Sequence, residues 1–331
     1  VERTVDWDAG VIVAVDQRAL PREHRMVRLA TVDELIDAIR QLAIRGAPAL
    51  GAAGALGVAQ SAHRHPGDEA AVRAEAARLA DARPTAANLA WGVDRAVARL
   101  PEGPEAVLGE ALAMLDEDEQ VNREASRRAA ELVLRLCERR PLRVLTHCNT
   151  GRLATVAWGT ALGAVRHLAE ARQVEYVLAT ETRPLLQGSR LTAYELEEAG
   201  IPYRLCADSA APAAIAQGLV DCVLVGADRI AANGDVANKI GTYPLALAAE
   251  RHGVPFVVVA PESTVDRSLP DGQGVRIEER AAEEVTQFAG LRVAPAGADA
   301  FNPAFDVTPA GLVTAIVTEE RVYSEAQPVK T

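Results

Sequence analysis

The chain has 331 residues, a formal net charge of −11 and 49% hydrophobic residues, so its length suits two domains and its apolar content suffices for a substantial core. The acidic balance argues against nucleic-acid binding, which depends on clustered cations, but leaves a small phosphorylated ligand possible. No apolar stretch approaches the roughly 20 residues of a membrane span, and no secretory signal opens the sequence.

The first part of the chain is predicted to be mainly helical after a short strand at 11–15. A capping-box pattern at 31–34 precedes apolar residues at helical spacing. Thr85 is the expected cap of a further helix, and the break at 101–104 is followed by a long helical pattern. We interpret residues 1–140 as a smaller, mainly helical domain.

The segment 44–56, IRGAPALGAAGAL, combines small residues with a helix start. Pro48 suits the first turn of a helix, and the free amides there, with Arg45 beside them, would hold a phosphate. Close helix packing through small residues explains the same pattern equally well. Because the segment is neither GxGxxG after a strand nor a P-loop, no dinucleotide or ATP cofactor is predicted. Arg83 is a weaker candidate for a second phosphate ligand.

Residues 141–331 show a different sequence pattern. Predicted helices separate short apolar strands at 144–145, 177–178, 223–225 and 256–259. Continuous apolar strands that alternate with helices predict a parallel sheet covered on both faces. The expected class is therefore α/β, with a doubly wound sheet in the larger domain.

Polar or reactive residues follow these strands, at 146–149, 180–183, 228 and 262–263. Because the carboxyl ends of parallel strands meet at one edge of a sheet, these residues would surround one crevice. Asp208 and Ser209 follow a further short segment, and helix capping is the better explanation for both.

Cys148 is the cysteine whose position favours a function. It follows a strand and precedes Gly151 and a predicted helix start, and a helix N-terminus would stabilise a thiolate there. The other three cysteines are better explained as structural thiols, and reduced thiols indicate a cytoplasmic protein. His147 is the rival base, although a lone His in such a place is more often structural. No residue set has metal-ligand spacing, so no metal is expected.

The segment 223–239, VLVGADRIAANGDVANK, is an apolar strand followed by a polar loop, with a turn at 233–234. Four polar side chains lie close together in that loop, namely Asp228, Asp235, Asn238 and Lys239. We interpret the segment as a small-molecule site that contains an acid/base carboxylate, Asp228, and an anion-binding cation, Lys239.

Together these segments resemble the methylthioribose-1-phosphate isomerase family over nearly the whole chain. The matching motifs are DQRALP at 16–21, IRGAPALG at 44–51, RPTAANLAW at 83–91, LTHCNTGRLAT at 145–155, ETRPLLQGSRLTAYEL at 181–196, VGADRIAANGDVANKIGTYPLA at 225–246 and NPAFDVTP at 302–309. The wider group includes ribose-1,5-bisphosphate isomerases and regulatory subunits of the eukaryotic translation-initiation nucleotide exchange factor.

The resemblance implies an aldose–ketose isomerase of methionine salvage that converts 5-methylthioribose 1-phosphate to 5-methylthioribulose 1-phosphate without a cofactor. It implies a small helical N-terminal domain that contributes phosphate ligands, a larger Rossmann-like catalytic domain, and a homodimer. It assigns catalysis to Cys148 and Asp228. It assigns substrate binding to Arg45, Gly46, Ala47, Arg83, Gln187, Asn238 and Lys239.

Two positions depart from the family pattern: Thr180 stands where Asp is usual, and Ser209-Ala210 where Asn-Met is frequent. These departures concern substrate preference more than reaction type. The alternatives are an isomerase of 5-deoxyribose 1-phosphate or ribose 1,5-bisphosphate, and a non-catalytic regulatory subunit. A methylthio group needs an apolar pocket, whereas a second phosphate needs further cations. The sequence leaves open whether hydrogen moves from C2 to C1 through an enolate or as a hydride.

Overall fold

The computed structural model describes residues 2–83, 86–324 and 329. Its first part contains β1 Val5–Asp8, β2 Val11–Val15, β3 Met26–Leu29, α1 Val32–Arg40, α2 Ala47–Arg64, α3 Glu69–Ala80, α4 Ala87–Val97 and α5 Pro104–Leu136. The strands and helices that follow are β4 Leu142–Thr146, α6 Ala161–Glu170, β5 Val174–Thr180, α7 Ala193–Glu198, β6 Tyr203–Cys206, α8 Ala210–Ala216, β7 Cys222–Val225, β8 Arg229–Ala231, β9 Val236–Lys239, α9 Thr242–Arg251, β10 Phe256–Val259, β11 Val265–Asp266, α10 Glu283–Thr286, β12 Gln287–Phe288, β13 Leu291–Arg292, β14 Phe305–Thr308, β15 Ala315–Val317 and β16 Val322–Tyr323.

The N-terminal part packs a three-stranded antiparallel sheet and four helices around α2. The strand at 11–15 is β2, and the Thr31–Glu34 capping box is present at the start of α1, so both predictions are confirmed. Thr85 lies outside the described residues. Almost every residue of α2 is buried, which is expected of a helix that is apolar on all sides. Its Ala and Gly residues let α4 and α5 approach closely.

The crossing of α2 and α4 depends on Gly92, where an added Cβ would lie 2.1 Å from the backbone oxygen of Gly51. We expect Gly92→Ala to lower the free energy of unfolding by about 1–3 kcal/mol, because the helices must separate. Gly109 in α5 is the matched control, with nothing within 4 Å of its added Cβ. Gly109→Ala should stabilise the fold by up to about 1 kcal/mol. Urea denaturation of both variants measures the difference, and equal effects would contradict this packing.

The larger part of the chain is built on a seven-stranded sheet in the order β16-β15-β10-β7-β4-β5-β6. All neighbouring pairs are parallel except β15 with β16. The six parallel strands follow the order 3-2-1-4-5-6 of a doubly wound sheet, whose direction of winding reverses between β4 and β7. Ligands bind at the carboxyl ends of the strands beside such a reversal.

Both faces of this sheet are covered, as the apolar strands predict. On one face, Val144 and Leu224 pack with apolar residues of α5 and α6. On the other face, Leu145 and Val223 pack with α8 and α9. The α/β class, with a large parallel sheet and a helical N-terminal region, is thereby confirmed. Within the described ranges, none of the helices has the length and apolar character needed to cross a bilayer.

Two local predictions are wrong. The predicted polar loop after β7 is largely a hairpin of β8 and β9, which joins a second sheet in the order β11-β8-β9-β14. The helix predicted to start after Gly151 begins only at Ala161. The preceding stretch is a buried loop, held by a bridge between Gly151 and Gly159 and by the carboxylate of Asp118, which accepts the Val156 amide at 2.7 Å.

Candidate active site

A cavity lies at the carboxyl ends of β4 and β7, next to the start of α2. It brings together all nine residues to which the resemblance assigns roles, namely Arg45, Gly46, Ala47, Arg83, Cys148, Gln187, Asp228, Asn238 and Lys239. These residues come from distant parts of the sequence, yet they share the edge of the sheet where its winding reverses. Of the four strand ends predicted to surround one crevice, those at 146–149 and 228 contribute to this cavity, whereas 180–183 and 262–263 do not line it.

Cys148 lies two residues after the end of β4, and its backbone φ of 63° is uncommon for a residue other than glycine. Such a conformation persists only where surrounding contacts impose it, and it is frequent at functional sites. Burial raises the pKa of the Cys148 thiol, while the nearby cations Arg45 and Lys239 oppose that rise. The expected helix N-terminus beside the sulfur is not there, because α6 starts thirteen residues later. Burial therefore favours the neutral thiol over a standing thiolate.

Asp228 comes from the neighbouring strand end, three residues after β7. Its backbone N–H donates to the carbonyl of Ala237 at 2.9 Å, which fixes it at the base of the β8–β9 hairpin. Burial raises the pKa of the Asp228 carboxyl, and Lys239, Arg83 and Arg45 act in the opposite direction. The cavity thus holds two groups, a thiol and a carboxyl, that can give and take protons.

The start of α2 is shaped for a phosphate. Gly46 has φ 89°, and a Cβ there would lie 2.3 Å from the carbonyl oxygen of Ala154, so only glycine fits. Pro48 occupies the first turn of α2, as predicted, and leaves the first amides of the helix free for an anion. The adjacent Arg45 is buried and donates from Nε to Gln17 Oε1 at 3.0 Å.

A chain of side chains behind Arg45 fixes its guanidinium. Arg45 Nη2 donates to Asn149 Oδ1, and Asn149 Nδ2 donates to Glu195 Oε1 at 2.7 Å. The Glu195 carboxylate also accepts the Arg152 amide at 2.8 Å. Sequence reasoning missed Glu195, because α7 carries three glutamates, at 195, 197 and 198, and nothing in the sequence marks the one that is buried.

Three further cations line the cavity: Arg83, Lys239 and Arg280. Lys239 Nζ donates to the carbonyl of Ala304 at 2.9 Å. Burial lowers the pKa of its ammonium group, and the nearby Cys148 and Asp228 act in the opposite direction. Glu278 links the other two, at 3.4 Å from Arg83 and 2.6 Å from Arg280. Arg280 was missed because it belongs to a stretch with no predicted element.

Polar acceptors and an apolar wall complete the cavity. Among the described residues, Gln187 Oε1 is buried without a hydrogen-bond partner, so it is available to a ligand hydroxyl. Asn238 Nδ2 donates to Thr242 Oγ1 at 2.9 Å. Apolar side chains that include Leu42, Leu185 and Phe305 form the rest of the lining.

Other polar residues singled out from the sequence are structural. His147 lies outside the cavity lining, with both ring nitrogens hydrogen-bonded to protein. Asp208 accepts the amides of Thr182 and Arg183, both at 2.7 Å, and Ser209 makes no capping bond, so helix capping was the wrong explanation for them. Asp235 accepts two loop amides instead of lining the site. In the part of the chain that the structure describes, no group of three or more His, Cys, Asp or Glu residues could hold a metal ion.

Comparisons with known proteins agree with this arrangement. Residues 43–323 match the initiation factor 2 subunit family. A Nocardia farcinica protein named probable bifunctional methylthioribose-1-phosphate isomerase/methylthioribulose-1-phosphate dehydratase is 66% identical over 97% of this chain, which spans 59% of that relative. A methylthioribose-1-phosphate isomerase from an Anaeromyxobacter species is 53% identical over 97% of this chain and 94% of its own.

Two solved structures share the fold over nearly the full length. The 5-methylthioribose 1-phosphate isomerase of Pyrococcus horikoshii has a TM-score of 0.88 and 38% identity, covering 99% of this chain and 94% of its own. A structure described as translation initiation factor eIF-2B, subunit delta, from A. fulgidus has a TM-score of 0.85 and 42% identity, covering 98% and 96%. The chain belongs to the initiation factor 2 subunit family and, within it, to the methylthioribose-1-phosphate isomerases.

Proposed function

We propose that this protein is an aldose–ketose isomerase of methionine salvage that converts 5-methylthioribose 1-phosphate to 5-methylthioribulose 1-phosphate. The observation that carries the proposal is the meeting of Cys148 and Asp228 at adjoining strand ends, in one cavity with four cations. A proton-transfer pair beside an anion site is what isomerisation of a sugar phosphate requires.

Each remaining site residue has a role in binding. Arg45 and Lys239, the amides at the start of α2 and Arg83 would hold the phosphate and orient C1 and C2 of the sugar. Gln187 and Asn238 would bind hydroxyl groups. The unpartnered oxygen of Gln187 supports this role, since a substrate hydroxyl would supply the donor that the protein lacks there.

The reaction must open a ring whose anomeric oxygen carries phosphate. The C1–ring oxygen bond breaks as the ring oxygen takes a proton, and a neutral carboxyl at Asp228 is suited to supply it. In the enolate route, the proton of C2 leaves to the other group, a proton is then added at C1, and the C2 hydroxyl loses its proton as the ketone forms. In the hydride route, the hydrogen of C2 moves with its electron pair to C1 while the C2 hydroxyl loses its proton. The structure is compatible with both routes.

The three candidate substrates differ in the group at C5. The ion pairs made by the cations of the cavity predict which sugars the enzyme turns over best. Glu278 already engages Arg83 and Arg280, which leaves few free charges for a second phosphate. We expect the methylthio and deoxy sugars to be turned over with kcat/KM values within about a hundredfold of each other. Ribose 1,5-bisphosphate should be the poorest of the three. Steady-state assays on all three sugars measure this, and a preference for the bisphosphate would favour that isomerase instead.

A non-catalytic regulatory subunit is the second candidate, which the likeness to the A. fulgidus structure favours. Such a subunit has no need of a thiol and a carboxyl in a cation-lined cavity. The same assays separate the two functions, because absence of turnover on every sugar 1-phosphate would leave only the regulatory candidate.

We also propose the division of the chain at residue 140, between the end of α5 and the start of β4, into a helical domain and a Rossmann-like catalytic domain. The doubly wound strand order supports the description of the second domain. A cytoplasmic location is inferred from the four free cysteines, and a homodimer from the family resemblance. The dehydratase activity in the name of the Nocardia relative is not transferred to this chain.

A further inference from the structure

We propose that His147, Thr180 and Thr182 are positioning residues that hold Cys148 in its reactive orientation and tie it to the segment carrying Lys239. The inference rests on the proposed function, because the reacting thiol is the group that they position. None of the three lines the cavity, and all are almost completely buried.

A continuous chain of hydrogen bonds connects the three residues. The Cys148 amide donates to Thr182 Oγ1 at 2.9 Å, and the hydroxyls of Thr182 and Thr180 are 3.1 Å apart. Thr180 Oγ1 is 2.7 Å from His147 Nδ1, and His147 Nε2 is 2.8 Å from the carbonyl oxygen of Ile240. The chain therefore begins at the catalytic cysteine and ends at the residue that follows Lys239.

The chemistry of the groups determines the direction of each bond. A carbonyl oxygen can only accept, so Nε2 of His147 carries the hydrogen that Ile240 receives. In a neutral imidazole Nδ1 must then accept, so Thr180 donates its hydroxyl to it. Thr182 donates to Thr180 and accepts from Cys148. The Thr182 hydroxyl also lies 3.4 Å from the Thr180 carbonyl oxygen, a second acceptor on the same residue. In either arrangement Thr180 donates to His147, which is the neutral Nε2–H tautomer.

The surroundings favour that neutral form. Burial lowers the pKa of His147, and the Ile240 carbonyl opposes this. The charged groups that act on the ring are Asp208, which favours the imidazolium, and Lys239, which disfavours it. Gly241, at the start of α9, packs against the ring so closely that an added Cβ would lie 2.8 Å from Cε1. No carboxylate contacts Nδ1 within the described residues, because Thr180 occupies that position.

These hydrogen bonds hold the backbone of Cys148 in its unusual conformation. Cys148 and Thr182 both have positive φ, 63° and 62°, and the bond between the Cys148 amide and Thr182 Oγ1 joins these two strained positions. Thr192 holds the other side of the residue, donating its hydroxyl to the Cys148 carbonyl at 2.6 Å. Loss of the Thr182 acceptor would leave a buried amide unsatisfied and release the strained turn, so the sulfur would move away from the sugar.

Variants that remove single hydroxyls test the proposal by steady-state kinetics. Thr180→Val and Thr182→Val should each lower kcat by about tenfold to a hundredfold, the effect of a displacement near 1 Å, while KM changes little because the phosphate ligands remain in place. Thr180→Ser, which keeps the hydroxyl, should restore kcat. Thr308→Val is the matched control. Thr308 is fully buried, and its hydroxyl has no partner among the described residues, so its loss should leave kcat unchanged.

Nitrogen NMR of the wild-type enzyme with ¹⁵N-labelled histidine, assigned with His147→Gln, provides a test that does not depend on the threonine variants folding. The proposal requires a protonated Nε2 and an unprotonated Nδ1 at the pH of the assays. An imidazolium, an Nδ1–H tautomer, or kcat within about twofold of wild type in folded Thr180→Val and Thr182→Val would overturn it. Those results would leave the proposed isomerase intact, since that depends on substrate turnover and on Cys148 and Asp228.

Discussion

Replacement of Cys148 by Ser is expected to lower kcat by about 10²- to 10⁴-fold, the usual contribution of a positioned proton-transfer group. Serine preserves the size and hydrogen-bonding capacity of the side chain but is a far weaker acid than a thiol. The fold should persist, because the contacts that hold this residue are made by its amide and carbonyl, with Thr182 and Thr192. KM should change much less than kcat, since Arg45 and the start of α2 still bind the phosphate.

Cys206→Ser is the matched control for this substitution. Cys206 ends β6 at the edge of the sheet and does not line the cavity. Its replacement should leave kcat and KM unchanged. Steady-state assays of both variants, with circular dichroism to verify folding, make the comparison. A Cys148→Ser enzyme with near-normal turnover would refute the catalytic role of the thiol.

Replacement of Asp228 by Asn is expected to reduce kcat by a similar factor, because an amide of almost the same shape can neither donate nor accept the proton at the ring oxygen. The β8–β9 hairpin should survive, since it is held there by the Asp228 backbone amide. The direction of the pKa shift predicts the pH dependence as well. Burial raises the pKa of this carboxyl, so an enzyme that needs it protonated loses activity as pH rises through that raised value.

The Asp228→Asn variant should lack this decline in its residual activity. Asp299→Asn serves as the control, because Asp299 is exposed and its carboxylate accepts only the amide of Ala300 among the hydrogen bonds of the described chain. Its kcat and pH profile should match those of the wild type. If the alkaline limb persists unchanged in Asp228→Asn, the group responsible for it is another residue.

Local sequence patterns are sufficient to predict the central strands but not the segments beside the site. Fully buried parallel strands are continuous apolar runs, so β4, β5, β7 and β10 are recognisable. The β8–β9 hairpin is not, because its Asn and Asp residues are typical of loops, and β8 and β9 pair in a second sheet with β11 and β14, which lie farther along the chain. The delayed start of α6 likewise depends on a distant contact, between Asp118 and the Val156 amide.

The candidate site was predicted largely from sequence motifs. These motifs meet in one cavity because several of them follow strands that end at the same edge of the sheet. The site residues that the sequence analysis did not identify either act through other side chains or lie in segments without a recognisable motif. Glu195 reaches the cavity only through Asn149 and Arg45. Arg280 lies in an irregular stretch whose position is set by Glu278 and Glu284. Such roles depend on contacts between residues that are distant in the sequence, and the spacing of residues along the chain does not predict these contacts.

In the proposed mechanism, a thiol and a carboxyl face each other across a phosphosugar. A crystal structure of the Asp228→Asn enzyme with 5-methylthioribose 1-phosphate tests it most directly. We expect C1 and C2 of the sugar between Cys148 Sγ and the side chain at position 228, at near-attack distances of about 3–3.5 Å, with the phosphate beside Arg45 at the start of α2. A sugar bound with C1 and C2 remote from both side chains would contradict the account.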